Sequence, residues 1–183
     1  MIAKPLRIFA TILAVCLAGC SSKDRIHTMI VSVPQQKMAL YRKGKLIQTY
    51  DVSTSKFGLG SERGSNRTPL GLHEVGKKIG GGQRAGMKFS SRRPTGEIVP
   101  VNAPGRDPIV TRILWLKGLE SCNLNSFART IYIHGTAEEW RIGTPASYGC
   151  VRMRSRDIIE LYNTVGVGAK VDIRTSELPC EQP

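Results

Sequence analysis

The chain lacks most of the features by which a sequence announces metal, nucleotide or membrane-spanning chemistry. It has no C-x-x-C pair, and its 3 histidines, His27, His73 and His134, are scattered without ligand-type spacing, which argues against zinc. Gly80-Gly81-Gly82 is followed by no G-x-x-x-x-G-K-[ST] pattern and preceded by no clear strand, so it reads as a flexible connection and not as a phosphate cradle. There is no internal repeat and no low-complexity tract. Aromatic residues make up only 6% and do not interleave with basic ones, unlike the stacking platforms that bind single-stranded nucleic acid. Acidic side chains are scarce, 14 against 27 Lys and Arg, and the resulting formal charge of +13 favours anionic partners.

No apolar run is long enough for a comfortable membrane span. The longest, Ile8 to Ala18, follows basic Lys4 and Arg7 and has the length of a secretory signal. Leu17-Ala18-Gly19-Cys20 resembles a bacterial lipobox, which implies cleavage before Cys20, lipid attachment to it, and a membrane anchor made of acyl chains. Ser21, in place of an aspartate beside that cysteine, resembles outer-membrane sorting in a cell with two membranes. An exported lipoprotein facing the periplasm or cell wall meets wall polymers and phospholipid head groups, so no nucleic-acid partner is expected. The expected organisation is a signal over 1–19, Cys20 and a short linker over 20–28, one catalytic domain over 29–175 and a tail over 176–183. Removing the first 19 of 183 residues leaves 164, enough for one domain with a sizeable core. With Cys16 removed and Cys20 acylated, Cys122, Cys150 and Cys180 remain. An odd count in an oxidising compartment suggests a Cys122–Cys180 bridge and a free Cys150.

Alternating apolar residues predict strands over 29–33, 37–41 and 46–52, a turn at Lys43-Gly44, and further strands over 70–75, 109–116, 129–134 and 169–174. Residues 55–66 read as a loop beside a groove, and 92–98 as turn-rich. Ser155 is placed as a helix cap, with Ile158, Leu161, Tyr162 and Val165 on one helical face and Gly166 ending it. The pattern is mainly β, an antiparallel β sandwich with one short helix beside the segment that carries the candidate chemistry.

That segment runs from His134-Gly135-Thr136 to Ser147-Tyr148-Gly149-Cys150-Val151-Arg152-Met153. A thiol near neutral pH is only a few per cent thiolate, so a nucleophilic cysteine needs a base or a cation beside it. His134 is the candidate. Moving a thiol from about 8.5 to about 6 requires roughly 3.4 kcal/mol of preferential thiolate stabilisation, which an imidazolium within hydrogen-bond reach could supply. Gly149 permits backbone angles closed to other residues and lets amides crowd a reacting carbonyl. Taken alone, either residue is more often a buried small hydrophobe or a strand end.

Together, H-G-T and S-Y-G-C-V-R-M resemble the signature of the L,D-transpeptidase (YkuD-like) catalytic domain family, and Thr68-Pro69-Leu70-Gly71-Leu72-His73 resembles that family's upstream T-P-x-G-x-F element. The resemblance covers about residues 29–173. It implies the same fold, no cofactor, and a cysteine acyltransferase acting on peptidoglycan stem peptides, to cross-link them or attach proteins to the wall. It implies Cys150 as nucleophile, His134 as base, the Gly135 carbonyl as orienter of the imidazole, amides near Tyr148, Gly149 and Cys150 as an oxyanion hole, and Ser147 as a loop brace at the substrate site; Arg152 is a candidate partner for a stem-peptide carboxylate or, equally, a solvated or structural arginine. It also implies carbapenem-type inhibitors. Many members carry histidine where this chain has Tyr148, which bears on substrate fit. Hydrolysis at the same site, as an L,D-carboxypeptidase or a wall-protein-releasing amidase, and a non-catalytic wall-binding lipoprotein stay as alternatives.

Overall fold

A computed structural model describes residues 23–105 and 107–179. The expected signal over 1–19, the lipid site Cys20 and the partner cysteine of the expected Cys122–Cys180 bridge lie outside the described residues.

The first three strands form a meander because their alternation is strong enough to fix register. β1 (His27–Ser32) pairs antiparallel with β2 (Lys37–Arg42), and β2 with β3 (Lys45–Asp51), while Met29, Val31, Met38 and Leu40 are buried in the core. β4 (Gly71–Ile79) and β7 (Ile109–Gly118) are the long central strands. Between them the hairpin β5 (Met87–Ser90) and β6 (Arg93–Ile98) occupies the region read as turn-rich. β6 is almost wholly exposed, so it carries no apolar alternation by which sequence could find it. β8 (Tyr132–Thr136), β9 (Val151–Met153), the helix α1 (Ser155–Thr164) and β10 (Lys170–Arg174) complete the chain.

The strand order is β3-β2-β1-β10-β4-β7-β5-β6, with β8 pairing β7 and β9 pairing β8. The protein is mainly β, but the sheet is mixed: β1 pairs β10 and β8 pairs β9 in parallel. Parallel neighbours need a crossover of a dozen or more residues. Residues 137–150 supply it between β8 and β9, and that crossover is where the candidate site is built.

The main core lies between the sheet and α1, with Ile133, Val151, Met153, Ile158 and Leu161 all at 0% exposure. A smaller cluster of Met87, Phe89, Ile113 and Tyr132 occupies the hairpin side, and Cys150 packs against it. The helix cap differs from expectation. Arg154 is the cap residue and makes no side-chain cap bond; Ser155 sits inside the first turn, its N–H donates 2.7 Å to Glu139 Oε1, and its hydroxyl lies 2.7 Å from Thr111 Oγ1. A carboxylate from a distant turn thus satisfies the orphan amide and favours the positive end of the helix. At the other end Lys78 Nζ donates 2.6 Å to each of the Tyr162 and Val165 carbonyls.

Candidate active site

β8 and β9 run side by side with His134 opposite Arg152 and Ile133 opposite Val151. Side chains alternate across a strand, so Ile133, Val151 and Met153 enter the main core while Tyr132, His134 and Arg152 face the other way. Cys150, two residues before Arg152, joins that second face. His134, Ser147, Tyr148, Cys150 and Arg152 line one open cavity of about 540 Å³ together with Asp107, Glu138 and Arg141.

His134 is only 5% exposed, and its Nδ1–H donates 2.8 Å to the Gly135 carbonyl. That bond leaves Nε2 as the acceptor nitrogen, with no hydrogen-bond partner among the described residues. Gly135 is required by a close approach: a Cβ there would stand 2.6 Å from the Val110 carbonyl oxygen, where β7 bulges between Val110 and Ile113.

The Cys150 thiol donates 3.5 Å to the Thr130 carbonyl and accepts the Tyr132 N–H at 3.4 Å. Thr130 holds φ +58°, an uncommon backbone for a β-branched residue. No hydrogen bond joins Sγ to the imidazole in this arrangement. Burial pushes the thiol up to about 11, against the Tyr132 amide and the positive Arg129 and Arg152, which pull it down. Burial also holds His134 below the ordinary histidine value, opposed by its bond to Gly135 and by Asp107. Burial therefore favours a neutral thiol and a neutral imidazole at rest. Desolvation disfavours both charged forms more than the neighbours favour them.

The crossover is held tightly. Ser147 Oγ donates 2.5 Å to the Cys150 carbonyl and accepts the Gly149 N–H at 3.2 Å, so both ends of its hydroxyl brace the turn. The Gly149 N–H thus rests on Ser147 Oγ within the loop. Gly149 adopts φ +114°, a conformation that suits only glycine, and its carbonyl accepts Thr68 Oγ1 at 3.1 Å. The upstream T-P-L-G element thus reaches the site through Thr68. Tyr148 is 64% exposed at the rim, where Lys56 Nζ donates 3.1 Å to its hydroxyl, lies 4.4 Å from its ring centroid, and Phe57 tilts against it at 5.4 Å.

Arg152 is anchored at the back of the cavity. It is 3% exposed, and its Nη1 donates 2.5 Å to Asp107 Oδ2 and 3.0 Å to Glu138 Oε2. Both carboxylates share the one nitrogen Nη1, while Nε and Nη2 are buried with no hydrogen-bond partner among the described residues. Asp107, which sequence reasoning missed, also accepts Thr136 Oγ1 at 2.7 Å and the Ala137 N–H at 3.1 Å, knitting the loop before β7 to the end of β8. It follows no periodic pattern, and only tertiary structure reveals its partner. Among the described residues no group of three or more His, Cys, Asp or Glu could hold a metal ion.

The family model described as the L,D-transpeptidase catalytic domain matches residues 26–173. The chain is 26% identical over 162 residues to a "Putative L,D-transpeptidase YkuD" of Bacillus licheniformis, an alignment covering 87% of this chain and 73% of that protein. Among solved structures it is similar to the L,D-transpeptidase (residues 123-326) from Xylanimonas cellulosilytica, at TM-score 0.53 and 17% identity, covering 84% of this chain and 62% of that one. It is also similar to L,D-transpeptidase 3 from Mycobacterium tuberculosis in complex with a faropenem-derived adduct, at TM-score 0.52 and 17% identity over 81% of this chain and 60% of that one. The chain thus spans less than two thirds of these solved chains, and at such identities the likeness speaks for the fold.

Proposed function

Because the chain belongs to the L,D-transpeptidase catalytic domain family, we propose that it transfers an acyl group of a peptidoglycan stem peptide through a thioester on Cys150. The observation that carries this reading is one cavity lined by both Cys150 and His134, the histidine fixed through Nδ1 so that Nε2 is its proton acceptor. In the first step Sγ turns from the Thr130 carbonyl, gives its proton to His134 Nε2, and attacks the carbonyl between the diamino acid at position three and the terminal D-alanine. The C–N bond breaks, the imidazolium returns the proton to the departing amine, and the acyl group stays on sulfur. The second step reverses the sequence with an incoming amine, from another stem or a protein, as acceptor.

Amides near Tyr148, Gly149 and Cys150 are proposed as the oxyanion donors, a role in which losing one donor costs about 3 to 4 kcal/mol in other acyl-transfer enzymes. The Tyr132 N–H, already on Sγ, supports the sulfur as negative charge grows there. The cavity presents both signs, with Asp107 and Glu138 beside Arg152, Arg141 in the wall and Lys56 at the rim, which suits a stem bearing both amine and carboxylate. Export, anchoring through acyl chains on Cys20, and the periplasm or wall as the working place belong to the same proposal.

Incubation of the purified chain with defined muropeptides, followed by product analysis, tests the reaction. Dimers, or D-amino acids exchanged at position four, are expected; shortened monomers alone would make water the acceptor and the protein a hydrolase. No conversion of any stem would contradict the enzymatic reading.

A further inference from the structure

One end of the sheet carries a concentration of cations that have no ion-pair partner among the described residues. The chain between Lys23 and Ile26 lies between two turns: the Lys43 N–H at the β2–β3 turn donates 2.7 Å to the Ile26 carbonyl, and the Asp24 N–H donates 2.7 Å to the Val167 carbonyl beyond α1. His27 pairs with Arg42, and Arg42 with Lys45, so the basic residues of that turn fall beside the N-terminal segment. Lys23, Arg25, Arg42, Lys43 and Lys45 are all exposed. None of the five makes an ion pair among the described residues. The one acid in this segment, Asp24, is turned inward, its side chain 8% exposed and bonded to His27 and to the amides of Ile26, His27 and Gly166. Ile26 and Val167, 38% and 40% exposed, stand among the cations.

We propose that this face, formed by Lys23, Arg25, Ile26, the Arg42–Lys45 turn and Val167, lies against an anionic phospholipid bilayer and fixes how the domain stands on it. The proposal rests on the reading of Cys20 as the lipid-bearing residue. Lys23 is three positions beyond Cys20, and three residues fully extended reach at most about 10 Å. That is about one Debye length at physiological salt, so the cations stay within electrostatic range of the head groups. Apolar side chains set among cations suit the head-group boundary, where aliphatic stems and charged tips are both accommodated. A soluble wall polymer would satisfy the charges but has no use for Ile26 and Val167. The acyl chains supply attachment; the basic face supplies orientation, since one lipid anchor alone leaves the domain free to swivel.

The test uses the mature lipoprotein reconstituted in vesicles of phosphatidylcholine alone, or with roughly one third phosphatidylglycerol. Lysine acetylation rates are read by peptide mass spectrometry. Lys23, Lys43 and Lys45 are expected to react at least about fivefold more slowly in the anionic vesicles, and this protection to vanish near 1 M salt, where the Debye length falls to about 3 Å. Lys56 at the cavity rim and Lys117 on β7 should react alike in both. Arg25→Glu with Arg42→Glu should restore fast reaction at the three lysines. Equal rates in the two vesicle types with Cys20 acylated would overturn the proposal while leaving the anchor intact. Equal protection by soluble polyphosphate over zwitterionic vesicles would assign the face to a wall polymer and overturn it too. An intact mass without acyl chains would remove the anchor, and the proposal with it.

Discussion

His73 and His134 are buried on neighbouring parts of the same sheet, and each has Nδ1 tied to a glycine carbonyl, at 2.9 Å to Gly71 and 2.8 Å to Gly135. Burial holds both below the usual histidine value. They differ in the second nitrogen. His73 Nε2 lies 3.0 Å from Ser126 Oγ, closing the ring into a satisfied structural network, whereas His134 Nε2 has no such partner and its residue lines the cavity with Cys150. Two buried rings with the same kind of first bond therefore have different chemistry open to them. What separates a structural histidine from a candidate base here is a single unfilled acceptor.

The largest expected break in that comparison is kinetic. His134→Ala should slow Cys150 acylation by about 10² to 10⁴, the usual contribution of a positioned general base, while His73→Ala should change it less than about threefold. Stopped-flow acylation of both variants checks this, and equal losses would mean the two rings act alike. Next is Gly135→Ala. A Cβ 2.6 Å from the Val110 carbonyl forces β8 away from β7, and overpacking of this kind typically costs about 1 to 3 kcal/mol. A urea midpoint that did not move would show that the close approach is relaxed in solution. His73→Gln or Ser126→Ala, each leaving a buried polar atom unpaired, should cost about 1 to 3 kcal/mol in stability with acylation retained. Thermal unfolding alongside the acylation assay separates the two effects.

The smallest effect is the pH dependence. Both histidines are folded as neutral rings with depressed values, so between the folded and unfolded pKa the unfolded chain binds more protons and stability rises with pH. Their contribution is complete above about pH 6.5, the unfolded value, and is lost progressively below it. Acylation should fall on the acid side through the folded His134 value, which lies below the point where stability begins to drop, and stay level through neutral pH, because a thiol pushed up to about 11 adds no thiolate there. A thiolate absorbance at neutral pH would contradict the neutral pair.

The meeting of His134 and Cys150 in one cavity, and the strands beneath them, were legible because their patterns are local: H-G-T ends an alternating apolar strand, and S-Y-G-C-V-R-M carries its own turn glycine. Ser147 was legible as a brace for the same reason. The charge state of the thiol was not, since spacing between histidine and cysteine says nothing about how far each is desolvated. Nor was the engagement of Arg152. Sequence left Arg152 open between a ligand role and a structural one, and its partners, Asp107 and Glu138, arrive from two separate loops. The parallel β1–β10 pairing escaped for a related reason, because alternation fixes which face of a strand is buried but not which strand lies beside it. The cap on α1 came from Glu139, while the nearby Ser155 hydroxyl pairs with that of Thr111.

Cys122 is exposed and Cys150 only partly so, yet the account makes Cys150 the thiol that is acylated. Exposing the protein to a carbapenem under reducing conditions and mapping the adduct by peptide mass spectrometry tests this directly. One adduct on Cys150, absent from Cys150→Ala and retained in Cys122→Ala, is predicted; an adduct that persists in Cys150→Ala, or none on the unaltered chain, would contradict it.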